Sequence, residues 1–275
     1  MDQYLVYGNP IKQSKSPTIH TAFAKETNQN IEYKIQFAEL DAFEETVKVF
    51  IKAGGKGANV TAPFKEEAMA MCDELSEHAK FSGAVNTLTF KNGKIYGDTT
   101  DGVGLVNDLL SQNVKLENSR ILLLGAGGAS KGVVLPLLHQ NPKQLTIANR
   151  TVSKAEAIAE QYSDQPIQAM SFEDANKEAF DLIINATSAG LSGSGVPISE
   201  KIITANTICY DMTYGKELTP FLKMATECEA KQVIDGLGML VGQAAESFYL
   251  WRNVRPKTDN VLSQLREELN NLNSV

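Results

Sequence analysis

Hydrophobic positions along the chain change period many times, and the alternation predicts the architecture. "YLVYG" is a short apolar run of strand type, and "SPTIHTAFAKET" follows with helical spacing, Ser16 placed as N-cap and Pro17 as first helical residue. "IEYKIQFAEL" reads as a second strand. "DAFEETVKVFIKAGG" reads as an amphipathic helix stopped by glycine, and "KGANVTA" as a third strand. "FKEEAMAMCDEL" has a helical pattern. "TLTFKNGKIYGD" places Asn92-Gly93 between two alternating runs, a hairpin turn signal. Strands alternating with helices predict an α/β protein with mostly parallel sheets.

After "GVGLVNDLLSQN" the texture changes. "RILLLGAGGASKGVVLPLLHQ" is a continuous apolar strand, a glycine-rich turn and a helix. "QLTIANR", "FDLIINAT", "TICYDMTY" and "KQVIDG" follow as buried-strand candidates. Two domains are therefore expected: residues 1–101, and 102–237 as a second βα unit, with the final helices, about 238–275, returning to the first. Ligands of such sheets lie at the carboxyl ends of the strands.

Bulk properties narrow the function without naming it. The chain has 275 residues, a net charge of -7 and no lysine-arginine cluster, so nucleic acid and anionic membrane are not the expected partners. Cys72, Cys209 and Cys228 form no CxxC pair, and His20, His78 and His139 show no ligand spacing; neither disulfide nor metal is expected. No apolar run reaches the ~18 residues of a membrane span, and "MDQYLVYGNP" lacks the features of a signal peptide. The expectation is a cytoplasmic, metal-free protein acting on a small molecule, as a monomer or homodimer.

Gly125-Ala126-Gly127-Gly128-Ala129 sits between an apolar strand and a helix, where backbone N–H groups and the helix N-terminus can receive a pyrophosphate. The alternative is a tight turn with no ligand. At the end of the next strand an NAD site calls for an acid to bind the ribose 2′-hydroxyl. This chain has Asn149-Arg150-Thr151 there, and Lys154 a turn later. An arginine fork suits a 2′-phosphate, so NADP is the expected cofactor.

A nicotinamide enzyme needs a group that gives and takes a proton where alcohol and carbonyl interconvert. Lys65 in "NVTAPFK" stands out, because a cation in the first turn of a helix opposes the helix dipole. Asp101 in "GDTTDG", at the start of a later helix, is the candidate partner. The competing readings are a surface lysine and a simple N-cap. Ser14 and Ser16, at a predicted helix N-terminus, form an anion site without arginine. Asn59, Thr61, Asn86 and Gln243 add amides and a hydroxyl, which points to a small hydroxylated acid as substrate.

The blocks "GNPIKQSKSPTIH", "GGKGANVTAPFKEEA", "GAVNTL", "GDTTDGVGL", "GAGGASKGVVLPLL", "ANRTVSKA", "INATSAGLSG", "YDMTYG", "TPFLKMA" and "DGLGMLVGQAAESFYLW" together resemble, in order, those of the shikimate dehydrogenase family, and they cover nearly the whole chain. The resemblance implies reversible NADPH-dependent reduction of 3-dehydroshikimate to shikimate, on the route to chorismate and the aromatic amino acids. It implies an N-terminal α/β substrate domain and a C-terminal Rossmann NADP domain. Lys65 matches the catalytic lysine and Asp101 its partner. Ser14 and Ser16 match carboxylate-binding serines, with Tyr214 beside them. Thr61, Asn86, Asp101 and Gln243 match residues that hold ring hydroxyls, with Asn59 near. Gly125 to Ala129 and Asn149 to Lys154 match two NADP loops. Thr187, Met212, Gly236 and Met239 match further cofactor positions, and Glu77 an acidic position sometimes assigned to the cofactor.

Two departures stand out: Thr99 where the family usually has asparagine, and Thr21 where asparagine is common. The first leaves open how Asp101 is oriented. A quinate- or NAD-using enzyme and a nucleotide-sensing protein without catalysis remain the alternatives.

Overall fold

The computed structural model describes residues 1–187 and 196–271. It divides into two compact units, Met1–Gly104 with Val241–Ser263, and Leu105–Leu240 with the residues from Gln264 on. No helix among the described residues is long and apolar enough to cross a membrane.

The first unit is built on a six-stranded mixed sheet in the order β2-β1-β3-β5-β6-β4. Its strands are β1 (Asp2–Gly8), β2 (Ile31–Phe37), β3 (Gly57–Val60), β4 (Glu74–Leu75), β5 (Thr87–Lys91) and β6 (Lys94–Asp98). β1 runs parallel to β2 and β3, whereas β5 is antiparallel to both β3 and β6. Asn92 and Gly93 take φ of 54° and 73°, the pair of positive φ values that a two-residue hairpin of this hand requires. The helices are α1 (Ser16–Glu26), α2 (Phe43–Lys52), α3 (Lys65–Ala70), α4 (Glu77–Ser82) and the start of α5 (Asp101–Ser111). Leu5, Tyr7, Phe43, Val47, Phe64, Val85 and Leu88 form its core.

Two local expectations are corrected. Lys15, not Ser16, is the N-cap of α1, and no side chain caps that helix directly. Ser14 Oγ instead accepts from the Ser16 N–H at 3.3 Å, so the preceding serine serves the first free donor. The helical pattern of "FKEEAMAMCDEL" ends early: α3 stops at Ala70, and Glu74–Leu75 pair with β6. The Asp73 N–H donates to the Ile95 carbonyl, and Asp73 Oδ2 accepts from the Ile95 N–H, so sheet pairing outcompetes a further helical turn.

The second unit is a fully parallel six-stranded sheet in the order β12-β11-β10-β7-β8-β9. Its strands are β7 (Arg120–Leu124), β8 (Gln144–Ala148), β9 (Ile167–Met170), β10 (Leu182–Asn185), β11 (Ile208–Asp211) and β12 (Gln232–Asp235). With α6 (Gly128–Leu138), α7 (Val152–Ala159), α8 (Phe172–Ala175) and α9 (Pro220–Glu227) between them, this is the doubly wound dinucleotide-binding topology, whose strand order reverses between the first and fourth strands. β9 has half-buried residues throughout and gave no clear signal in the sequence.

α10 (Leu237–Arg252) enters the first unit from Val241 on, and Trp251 Nε1 donates to the Leu88 carbonyl at 3.0 Å. The closing helix α11 (Asp259–Asn271) groups with the first unit as far as Ser263. Beyond that point it groups with the second, where Arg266 forms a two-pronged ion pair with Asp235.

Candidate active site

Phe64 explains why Lys65 is where it is. Phe64 is the N-cap of α3, and its buried ring stacks on Phe43 at 4.6 Å, which anchors the first turn in the core. The Lys65 carbonyl accepts from the Val85 N–H, one residue before Asn86. Lys65 Nζ then reaches Asp101 Oδ2 at 2.5 Å. Asp101 opens α5, where a carboxylate is favoured by the helix dipole.

Asn86 holds the other carboxylate oxygen. Its Nδ2 donates to Asp101 Oδ1 at 3.0 Å and lies 3.4 Å from Gln243 Oε1 on α10. Its Oδ1 accepts from the Thr100 N–H at 3.0 Å and from Thr87 Oγ1 at 2.7 Å. A carboxylate can only accept, so this pattern fixes which end of the amide faces Asp101. Lys65, Asn86, Asp101 and Gln243 are thus joined in one hydrogen-bonded group.

Thr61 follows β3, with its N–H on the Tyr7 carbonyl. Ser14 and Ser16 are half-buried at the start of α1. Asn59 lies deeper than a group meeting a ligand. It is buried, its Oδ1 accepts from Tyr33 at 2.7 Å, and its Nδ2 faces the Asn86 carbonyl, Thr87 and Ser247. Its amide is saturated by protein groups, so it shapes the site from beneath.

The orientation of Asp101, left open by Thr99, comes from Asn86 and Lys65. Thr99 is buried, and its N–H donates to Asp98 Oδ1 at 2.7 Å. Burial pushes the Asp98 carboxyl above its ordinary range, with the Ser76 hydroxyl and the Thr99 N–H opposing.

In the second unit, the turn after β7 is tested by its glycines. Gly125 takes φ of +103°, which the tight turn alone explains. Gly127 has φ of −90° and ψ of −170°, a conformation open to any residue, and a Cβ at Gly127 or Gly128 would meet nothing within 4 Å. The bare turn gives no reason for glycine at either position. A ligand lying close against the backbone at the start of α6 does, and no side chain caps that helix. Arg150, Thr151 and Lys154 are exposed after β8, and the Asn149 amide donates to the Thr151 carbonyl at 2.8 Å. These residues fit a dinucleotide with a charged ribose substituent.

Thr187 borders the same turn, its Cγ2 lying 3.1 Å from where a Cβ on Gly125 would sit. Its N–H and hydroxyl are held by Asn185 Oδ1. Met212 and Gly236 are also adjacent, since a Cβ on Gly236 would sit 2.1 Å from the Met212 carbonyl. Met239 is half-buried on α10. Tyr214 follows β11 in the second unit, and Glu77 is exposed on the first turn of α4 in the first. Each thus lies in the other unit from the residues with which the resemblance groups it. Residues 188–193 of "INATSAGLSG" lie outside the described residues.

Three family models match the chain: the shikimate dehydrogenase substrate binding domain over residues 6–88, shikimate/quinate 5-dehydrogenase over 108–194, and the shikimate 5′-dehydrogenase C-terminal domain over 236–266. A shikimate dehydrogenase (NADP(+)) of Colwellia psychrerythraea is 58% identical over 268 residues, covering 98% of each chain. The chain belongs to the shikimate dehydrogenase family. Among solved structures, the shikimate 5-dehydrogenase of Thermus thermophilus in complex with NADP(H) and shikimate superposes with a TM-score of 0.88 at 30% identity, covering 98% of this chain and 100% of that one. An Ael1 enzyme from Pseudomonas putida gives a TM-score of 0.94 at 43% identity, over 96% of this chain and 98% of its own.

Sequence reasoning missed Tyr33, Thr87, Thr100 and Ser247, which connect the site residues to one another. Thr87 and Thr100 are chain neighbours of Asn86 and Asp101, and that adjacency was the available signal. Ser247, one helical turn after Gln243, shares its face of α10.

Proposed function

We infer that this chain is an NADP-dependent shikimate dehydrogenase, an oxidoreductase acting on a CH–OH group that interconverts 3-dehydroshikimate and shikimate. The observation that carries the reading is the Lys65–Asp101 pair, joined through Asn86 to Gln243 within one unit of a family member. Aromatic biosynthesis is the pathway that fits the family, and the cytoplasm its location. A monomer or homodimer acting without metal, nucleic acid or membrane belongs to the same reading.

In this proposal NADPH supplies the hydride when bound. Gly125 to Ala129 and the N-terminus of α6 hold its pyrophosphate, and Asn149 to Lys154 its phosphorylated ribose. Thr187, Met212, Gly236 and Met239 line the cofactor, with Glu77 a further candidate. Lys65 Nζ gives a proton to the oxygen that becomes the hydroxyl and takes it back in the reverse direction. Asp101 keeps Nζ in place with Oδ2 while Asn86 fixes Oδ1. Thr61, Asn86, Asp101 and Gln243 bind the ring hydroxyls, and Ser14 and Ser16 the carboxylate.

Initial rates with shikimate and quinate against NADP and NAD test the reading. Highest kcat/KM for shikimate with NADP is the expected result. A tenfold preference for NAD or for quinate would overturn that part of it.

A further inference from the structure

Ser247 is a polar residue where the helix has no use for one. It lies inside α10 and is fully buried. A buried hydroxyl is costly unless hydrogen-bonded, and alanine is the better helix former. Its bond back to the Gln243 carbonyl at 3.1 Å is the local one that any helical serine can make, and it adds nothing specific. Three other partners are specific: Asn59 Nδ2 at 3.0 Å, Thr87 Oγ1 at 2.8 Å and Thr100 Oγ1 at 3.2 Å.

These bonds close into a ring. Asn86 Nδ2 donates to Thr100 Oγ1 at 3.0 Å, Thr100 Oγ1 can donate to Ser247 Oγ, Ser247 Oγ to Thr87 Oγ1, and Thr87 Oγ1 to Asn86 Oδ1 at 2.7 Å. The Ser247 proton has two acceptors in reach, Thr87 Oγ1 and the Gln243 carbonyl, and the Thr100 proton has Ser247 Oγ and Asn86 Oδ1; with the first of each pair chosen, every hydroxyl proton is used once and every donor points the same way around. Asn59 donates into the ring at Ser247 while accepting from Tyr33, so the arrangement is satisfied at its base. Rings of this kind polarise one another and fix a single set of orientations. The ring member whose side chain hydrogen-bonds to the Lys65–Asp101 pair is Asn86, through the second hydrogen of the Nδ2 that feeds the ring.

We propose that Ser247 is a positioning residue for the reaction: it closes the ring that holds the Asn86 amide with its N–H groups toward Asp101. Opening the ring leaves the Thr100 N–H on Asn86 Oδ1 but loosens the hydroxyls that hold the rest of the amide, so the carboxylate that holds Lys65 has a less firmly placed donor. The inference rests on the assignment of Lys65 and Asp101 as the catalytic pair. It places part of the control of that pair on α10, one turn beyond the Gln243 that the same face presents to Asn86.

The test compares Ser247→Ala, Thr87→Val, Thr87→Ser, the double variant Ser247→Ala/Thr87→Val and Lys65→Ala, all by steady-state kinetics, with melting temperatures measured alongside. Ser247→Ala and Thr87→Val each open the same ring, and each is expected to lower kcat/KM for shikimate about 3- to 10-fold, the equivalent of roughly one net hydrogen bond, with the KM for NADP unchanged. Thr87→Ser keeps the hydroxyl and is expected to retain near wild-type kcat/KM. The double variant should fall no further than the weaker single one, because a ring opens only once. Wild-type kcat/KM in Ser247→Ala, losses that multiply in the double variant, or a KM for NADP that moves in parallel would overturn the inference. If Ser247→Ala does not fold, the contrast between Thr87→Ser and Thr87→Val decides. A Lys65→Ala enzyme with undiminished kcat would remove the catalytic pair and this inference with it. A collapse in Lys65→Ala with no change in Ser247→Ala overturns the ring alone.

Discussion

Lys65 Nζ lies 2.5 Å from Asp101 Oδ2, and each of the two residues is the first of its helix. The cation sits at a helix end that repels it, and the carboxylate sits at one that welcomes it. Bringing the two together offsets the dipole cost at Lys65 and leaves its side chain one-third exposed, at 33%. An ion pair this exposed contributes about 0–1 kcal/mol to stability, so its removal leaves the protein folded. Lys65→Ala is therefore expected to melt close to wild type while kcat falls roughly 10²–10⁴-fold with little change in KM. Steady-state rates at saturating shikimate check this, and an unchanged kcat removes Lys65 from the mechanism.

Gly127 and Gly128 separate a cofactor turn from a bare one. Neither takes positive φ, and neither would clash with the protein if it carried a Cβ. Gly127→Val is expected to leave the melting temperature of the unliganded protein nearly unchanged. The dissociation constant for NADP should rise at least about tenfold, or about 1.4 kcal/mol, because the side chain fills the space the pyrophosphate takes. Calorimetric titration measures it directly. Equal NADP affinity in the variant would return the turn to a purely structural role.

Arg150 stands exposed after β8, at the position where an NAD site would carry an acid. A guanidinium contact to a phosphate is a charge-assisted hydrogen bond, of about 1.5–3 kcal/mol. Arg150→Ala should raise the KM for NADP about 10- to 100-fold and move that for NAD far less. Parallel initial rates with the two cofactors are the measurement. A variant with the wild-type NADP/NAD ratio would show that specificity lies elsewhere in the loop.

Legibility followed the range of the interactions. The dinucleotide sheet was readable because β7, β8, β10 and β11 are apolar runs, and the hairpin because Asn92-Gly93 is a local turn code. β9 was not, since its residues are all half-buried and alternate weakly. β4 was not either, because a helical pattern was overridden by pairing with β6. At the site, Lys65 and Asp101 were suggested by their places at helix starts. Their distance, and the ring that joins Asn86 to Ser247, depend on contacts up to 160 residues apart, which no local pattern encodes.

His20 gives the fold a pH dependence that can be isolated. It is fully buried, stacked on Tyr33 at 4.2 Å, with neither ring nitrogen hydrogen-bonded. Burial pulls it from 6.5 down to about 3, with Asn59 opposing. The unfolded chain therefore binds this proton below pH 6.5 while the folded one refuses it until about pH 3. More protons on the unfolded state means that stability falls as pH falls through that window, by about 1.4 kcal/mol per pH unit for this group. Buried Asp98 and Asp108 act in the opposite sense, since burial raises both and their protonation favours the folded state as pH falls. The His20 contribution is thus best read as a difference between two proteins. His20→Gln is expected to lower stability at pH 7 and yet lose less of it on acidification. Its unfolding free energy, followed by denaturant titration from pH 6.5 to 4.5, should have a slope about 1.4 kcal/mol per pH unit shallower than wild type. Parallel slopes would mean that the imidazole finds a proton acceptor when it charges.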